Sequence, residues 1–498
     1  MSMSEAAALR AQAKRYNFRG QAFIGGKFVD AADGDTLDCI SPIDGKLLAR
    51  IASCKAEDVD RAVSAARAAF ASGVWASALP ADRKRALFRF ADAIETHGDE
   101  LALLETLDMG KPIALAKRVD IASVVRTVRW YAEAIDKIYG EIAPTGPDAL
   151  GLITREPLGV VAAVVPWNFP LMIAAWKFAP ALAVGNSVVL KPAEQSPLTA
   201  IRVAELAAEA GIPDGVFNVV PGLGHKAGQA IGLHMDVDAV AFTGSTEVGK
   251  LFLQYAGQSN MKSTSLECGG KSPNIVFADA PDLDAAAQSA ASSIFFNSGQ
   301  VCVAGSRLLV EESIRDDLVE RLLDAAKAYE PNDPLDPETL MGSMVDEGQT
   351  DRVLGYVKQG LEDGGSLIAG GGQVRKESGG FYVEPTIFDN VTNEMAIARE
   401  EIFGPVLSVI TFRGLEEAVQ IANDTIYGLE ASLWTRDLTR AHKVAKALRV
   451  GTVNVNNTDG GGIELPFGGC KQSGFGRDKS LHSLEKYTTT KSTYISLR

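Results

Sequence analysis

Cys302 stands in FFNSGQVCVAGSR (residues 295–307), between Val301 and Val303 and with glycines at 299 and 305. A thiol so placed has backbone that a ligand can approach closely and apolar neighbours that exclude water, which is how a nucleophile is presented. The same surroundings suit a buried cysteine that does no chemistry, so its partners decide. In LECGGKSPN, Glu267 precedes Gly269 and Gly270. A carboxylate there could take a proton from the thiol or from a hydrolytic water, although a lone glutamate at a strand end is otherwise simply solvated. In PWNFP, Pro166 and Pro170 stiffen a turn that displays Asn168. Its amide is a suitable donor to a developing oxyanion, or else it merely satisfies the turn.

Three stretches could hold phosphate or ribose. Gly222-x-Gly224-x-x-x-Gly228 is one residue longer than the usual dinucleotide fingerprint and also reads as a plain strand-to-helix turn. FTGSTEVG is better suited: strand residues ending at Phe242 lead through Gly244, Ser245 and Thr246 into a helix whose first amides point outwards. After another strand, Lys191-Pro192-Ala193-Glu194 offers a carboxylate that would accept hydrogen bonds from ribose hydroxyls and repel a 2′-phosphate, favouring NAD over NADP. Alone, Lys191 and Glu194 read more readily as a solvated pair.

The elements that must position these residues alternate. Segments 159–165, 187–190, 216–220 and 239–242 read as strands, and 171–183 and 197–210 as helices. This is the pattern of a mainly parallel sheet that binds nucleotides at strand C-termini. A second alternating set begins near Asn274, with a helix at 282–296, strands at 307–310, 404–412, 431–434 and 452–455, and a helix at 415–422. Before them, Gly25-Gly26, Asp33-Gly34 and Asp44-Gly45 suggest small hairpins. Helices follow from Ala56, from Pro80 and over 113–139. Residues 140–157 break that run with prolines and glycines and read as an arm, and 364–372 reads as a loop.

At 498 residues the chain exceeds one hydrophobic core, and two or three domains are expected. A net charge of −14, with both signs interspersed, argues against a basic nucleic-acid or membrane surface. The five cysteines form no Cys-x-x-Cys pair and the five histidines are scattered, so neither zinc nor a disulfide framework is expected. The first residues lack the apolar core of a signal peptide, which suggests a cytoplasmic protein. The apolar region 157–190 is long enough to span a bilayer, but four prolines, Asn168 and Lys177 divide it into short buried elements.

VVPWNFP, VVLKPAEQSP, FTGSTEVGK, LECGGKSPN, FFNSGQVCVAGSR, REEIFGPV and PFGGCKQSGFGR occur in this order. Through them nearly the whole chain resembles the NAD(P)-dependent aldehyde dehydrogenase superfamily. GRDKSLHSLEKYT narrows the resemblance to the bacterial branch acting on aminoaldehydes, such as γ-glutamyl-γ-aminobutyraldehyde and 4-guanidinobutyraldehyde dehydrogenases. The resemblance implies an α/β fold with a Rossmann-like NAD-binding domain (1–139 and 160–268), an α/β catalytic domain (269–477) and a small β oligomerisation arm (140–159 and 478–498). It implies a dimer or a tetramer.

The resemblance further implies Cys302 as nucleophile, Glu267 as general base, and Asn168 as oxyanion donor beside the Cys302 backbone amide. Lys191 and Glu194 would hold the adenosine ribose, Ser245 the pyrophosphate and Glu401 the nicotinamide ribose, with Phe403 beside the ring. Pro166, Trp167, Gly244 and Val248 would line the same cofactor, NAD, with NADP a weaker second. Phe169, Trp176 and Phe467 match aromatic substrate-tunnel positions, which otherwise read as core. Asp459, before PFGG, would meet a cationic substrate tail, or is a turn residue. The reaction implied is thiolate addition to an aldehyde, hydride loss to NAD, and hydrolysis of a Cys302 thioester. Cys268, Cys470 and Asp478 depart from the commoner pattern. Two alternatives stand beside this reading. A CoA-acylating enzyme would not need Glu267, and a non-catalytic protein on the same fold would not need Cys302, Glu267 and Asn168 together.

Overall fold

Val160–Val164, Ser187–Lys191 and Ala239–Thr243 are short runs dominated by valine and alanine and buried almost throughout, as strands covered on both faces must be. In the computed structural model, which describes residues 5–458 and 460–498, they form the middle of an eight-stranded sheet. Five parallel strands run in the spatial order Phe217–Val219, Ser187–Lys191, Val160–Val164, Ala239–Thr243, Ser263–Glu267. The hairpin Ala22–Ile24 and Lys27–Val29 closes one edge antiparallel, and Gly474–Phe475 closes the other. Alternate residues face two cores. Val161 and Ala163 meet the helices Pro80–Thr96, Ala122–Ala134, Pro170–Ala183 and Leu198–Glu209, whereas Val160, Ala162 and Val164 meet Ala56–Ser72 and Thr246–Gln258.

A second sheet of seven strands runs Ser366–Ala369, Thr386–Asp389, Val406–Phe412, Arg307–Glu311, Pro273–Val276, Glu430–Trp434, Thr452–Val455, parallel except at the first pair. Leu283–Phe295 and Arg315–Ala326 cover one face; Glu347–Glu362, Gly414–Asn423 and Leu438–Ala447 cover the other. A separate antiparallel sheet joins Glu141–Ala143, Ala149–Pro157 and Thr488–Ser496.

Several details differ from the sequence reading. Segment 364–372 is not all loop. Its Ser366–Ala369 pairs antiparallel with Thr386–Asp389 through a bulge, a short strand hidden by glycines on both sides. Asp33-Gly34 does not close a hairpin, because the strands it joins belong to different sheets. The helix at 113–139 contains a π-turn at Ala116–Ile121 and ends at Lys137. Of residues 478–498, only Thr488–Ser496 enters the small sheet; Leu481–Tyr487 packs as 3₁₀ turns against the first body. Gly474–Phe475 likewise belongs to the first sheet, not to the second body around it. Among the described residues no helix is long and apolar enough to cross a membrane, and no cluster of potential metal ligands occurs.

Candidate active site

The first five parallel strands have the order 3-2-1-4-5, so their connections reverse direction between Val160–Val164 and Ala239–Thr243. A crevice opens at such a switch point, outside the strand C-termini. Register puts the expected cofactor residues along this edge: Val164 lies beside Lys191 and Phe242, and Thr243 beside Glu267. Pro166, Trp167, Gly244 and Ser245 follow directly. The chain leaves this sheet at Glu267 and enters the second at Pro273. Residues 296–306 precede the strand Arg307–Glu311, so Cys302 lies at the N-terminal edge of the second sheet, facing the C-terminal edge of the first.

The nucleophile loop is strained. Asn297, Ser298 and Gly299 all have left-handed backbones, with φ of 51°, 56° and 71°. Side-chain hydrogen bonds hold them there. Asn297 Nδ2 donates to the Asn168 carbonyl at 3.0 Å, Ser298 Oγ to the Gly342 carbonyl at 3.1 Å, and Val345 N to Gln300 Oε1 at 2.9 Å. Asn168 Nδ2 donates to the Gln300 carbonyl at 2.8 Å, leaving its second N–H for another acceptor. Burial, then Glu401, Glu430 and Glu267, push the Cys302 thiol up, so a base is needed to ionise it.

Glu267 is 2% exposed and neither carboxyl oxygen has a hydrogen-bond partner. Burial, then Asp478, holds it well above the usual carboxylate range, while Lys486, Lys177 and Arg477 oppose this. A side chain at Gly468 would meet Glu267 Oε1 at 2.7 Å, so the carboxylate rests against that glycine. Cys268 shares the core on the Leu266 side of the strand and lies close to Gly249, directed away from the adjacent Glu267. Burial, then Glu267, pushes its thiol up to about 12.

Gly269 and Gly270 give the turn its tight packing. A Cβ on Gly269 would collide with the Glu401 carboxylate, and one on Gly270 would lie 2.4 Å from the Cys302 carbonyl oxygen. Gly270 N donates to Glu401 Oε1 at 3.0 Å, and burial pushes Glu401 up to about 7. Gly270→Ala should therefore displace the Cys302 backbone, costing about 1–3 kcal/mol in denaturant unfolding together with most of the activity. Full activity in a Gly270→Ala protein would show that this close approach is dispensable.

Along the cofactor edge, Lys191 is buried and donates to the Pro192 carbonyl at 2.9 Å and to Glu194 Oε2 at 3.3 Å. Ser245 caps Thr246–Gln258, its Oγ accepting from Val248 N at 3.2 Å. Gly244 packs too closely on the Phe242 ring for any side chain, leaving open backbone at the helix entrance. The Gly224–Gly228 segment is a π-turn beside Lys191. Phe403 has φ of 60° and meets Trp167 edge to face at 5.2 Å between centroids. A switch-point crevice with a carboxylate, a buried amine and an open helix start fits a dinucleotide.

The expected tunnel aromatics form two pairs: Trp176 with Phe467 at 5.2 Å, and Phe169 with Phe296 at 6.1 Å. Phe296 was not anticipated, nor was Lys111, whose ammonium lies 4.1 Å from the Phe169 ring centroid. Lys111 is fully buried between Glu105 and Asp120. Lys177, Asp478 and Lys486 make a second buried charge cluster. Its signal was a lysine inside an otherwise apolar helix, which is kept only where it is paired. Asp459 lies outside the described residues.

Known proteins resemble this chain over nearly its whole length. The Aldehyde dehydrogenase family matches residues 28–493. An NADP/NAD-dependent aldehyde dehydrogenase of Escherichia coli (strain K12), PuuC, is 54% identical over 475 residues, covering 95% of each chain. The structure of a γ-glutamyl-γ-aminobutyraldehyde dehydrogenase from Burkholderia cenocepacia J2315 superposes with a TM-score of 0.97 at 60% identity, covering 99% of this chain and 100% of that one. An indole-3-acetaldehyde dehydrogenase of P. syringae, in complex with NAD+, gives a TM-score of 0.98 at 59% identity with both chains fully covered.

Proposed function

The chain belongs to the aldehyde dehydrogenase family, and from that premise we propose that it oxidises an aminoaldehyde to the carboxylic acid with Cys302 as nucleophile, Glu267 as base and Asn168 as oxyanion donor. It is an NAD(P)-dependent enzyme of that family. The observation that supports the role assignment is the meeting of two sheet edges, which brings the Cys302 loop against Asn168 and against Gly270, three residues beyond Glu267.

Lys191 and Glu194 would hold the adenosine ribose, and Gly244, Ser245 and Val248 the pyrophosphate. Glu401 would meet the nicotinamide ribose, and Pro166, Trp167 and Phe403 would border the ring. When bound, NAD supplies the hydride acceptor. The chain's own work surrounds that step. Glu267 takes the Cys302 proton and passes it to solvent, and the sulfur bonds to the aldehyde carbon. The second N–H of Asn168 and the Cys302 backbone amide receive the negative oxygen. Once hydride has left, the acyl group remains as a thioester on Cys302. Glu267 then takes a proton from water; the hydroxide adds to the acyl carbon and the Cys302 sulfur departs.

An aldehyde with a polar nitrogenous tail is favoured by similarity to PuuC and to the γ-glutamyl-γ-aminobutyraldehyde dehydrogenase. Trp176, Phe467 and Phe169 would line its approach, and Asp459 would meet the tail. The three-stranded sheet exposes Ile142, Tyr494 and Ile495, which supports its use as the arm of a dimer or tetramer, and a cytoplasmic location accords with these roles.

Mixing protein, NAD and an aldehyde should raise the reduced-nicotinamide absorbance without CoA. Specificity constants should favour aminoaldehydes over aliphatic aldehydes of equal length by about tenfold or more. Asp459→Asn should narrow that gap. A rise that requires CoA would overturn the hydrolytic reading, and a preference for uncharged aldehydes would overturn the substrate class.

A further inference from the structure

Asp478 lies at the centre of a buried ion cluster. Lys177 Nζ, from the helix Pro170–Ala183, is 3.0 Å from one carboxylate oxygen, and Lys486 Nζ contacts the other. Side-chain exposures are 0%, 1% and 9% for Lys177, Asp478 and Lys486. The cluster is joined to the base by backbone. Phe467 and Asp478 exchange two hydrogen bonds of 2.7 Å, and the next residue, Gly468, is the one that abuts the Glu267 carboxylate. We propose that Lys486 is a positioning residue for the general base: with Lys177 it brackets Asp478, so that the cluster presents a net positive charge behind Glu267.

Charge counting supports this. A lone Lys177–Asp478 pair would be neutral, and the second ammonium tips the balance. Burial pushes Asp478 up, but Lys177 and Lys486 more than reverse that and keep it ionised. Burial also pulls Lys177 down, whereas Lys486 stands nearer the surface. At Glu267 itself Asp478 acts upwards, while Lys486, Lys177 and Arg477 act downwards. Besides burial, Glu267 in turn pushes the Cys268, Cys302 and Tyr487 side chains up. Two buried cations flanking one anion are costly to assemble, and the cluster stands beside the one group whose protonation governs hydrolysis.

The inference rests on Glu267 acting as base, and the test separates the two. Wild type, Lys486→Met, Lys486→Arg and Asp478→Asn are compared by stopped-flow across pH, following release of the acyl group after a single turnover. In wild type, release should rise with pH as Glu267 ionises. Lys486→Met should move that midpoint up by about one pH unit, a roughly tenfold loss below the midpoint that recovers above it. Lys486→Arg should keep the wild-type midpoint, and Asp478→Asn should lower it. Lys486→Gln repeats the test if the methionine variant does not fold. A Lys486→Met profile scaled down uniformly, with its midpoint unmoved, would overturn the proposal and leave a structural role. Release independent of pH in wild type would overturn Glu267 as base and the inference with it.

Discussion

Cys302→Ala should abolish aldehyde oxidation while NAD binds as before. Only the sulfur forms the covalent adduct from which hydride can leave, so the loss in kcat/KM should reach about 10⁴-fold or more. The fold should survive, because the loop is pinned by Asn297, Ser298 and Gln300, and no hydrogen bond of that network uses the thiol. Cofactor affinity should hold within about twofold, a few tenths of a kcal/mol, since Lys191, Glu194 and Ser245 stand on the other sheet. Absorbance of the reduced cofactor and calorimetric titration with NAD read the two halves separately. Turnover above about one per cent of wild type, a loss of less than 3 kcal/mol, would remove Cys302 from the centre of the reaction.

Glu267→Gln should stop the reaction one step later. The first hydride transfer still proceeds, slowed because the thiol must now ionise to solvent, giving a burst of about one reduced cofactor per site, after which turnover falls by about 10²–10⁴-fold because water is no longer activated. Mass spectrometry of the stalled protein should find the acyl group on Cys302. A full-speed steady state without a burst would exclude Glu267 from hydrolysis. Stability carries a second signature. Burial holds Glu267 well above its unfolded value, so its contribution is complete below the unfolded pKa and is lost as pH rises through the folded one. The glutamine variant lacks that titration, and its thermal midpoint should gain on wild type as pH rises.

Much of this was legible from residue types. Alternation of short valine-rich runs with helices identified both sheets, and Cys302, Glu267 and Asn168 stood out because each sits in a glycine- or proline-marked turn. What could not be read was long-range pairing. Nothing local to Asp478 announces Lys177, 301 residues away, as its partner. Nor does Gly474 announce its place beside Glu267, where any side chain would strike the Leu266 carbonyl. The helices Arg315–Ala326 and Glu347–Glu362 passed unassigned, although their charged outer faces and buried stripes are ordinary amphipathic patterns. The strand Ser366–Ala369 was hidden because glycines on both sides read as loop, while tertiary pairing decided otherwise.

The antiparallel strand Gly474–Phe475 has a consequence for the order in which the protein is made. The strand Ser263–Glu267 is complete early, but its outer edge has no partner until a segment some two hundred residues later has left the ribosome. Until then the first sheet ends in an open row of amides and carbonyls, the kind of edge that recruits other chains. The second body must be synthesised before the first can be sealed, and the last seal falls at Glu267. A nascent chain stopped short of residue 474 would hold most of a cofactor-binding sheet and no settled position for Glu267. The catalytic centre is thus completed only after the second body has been made.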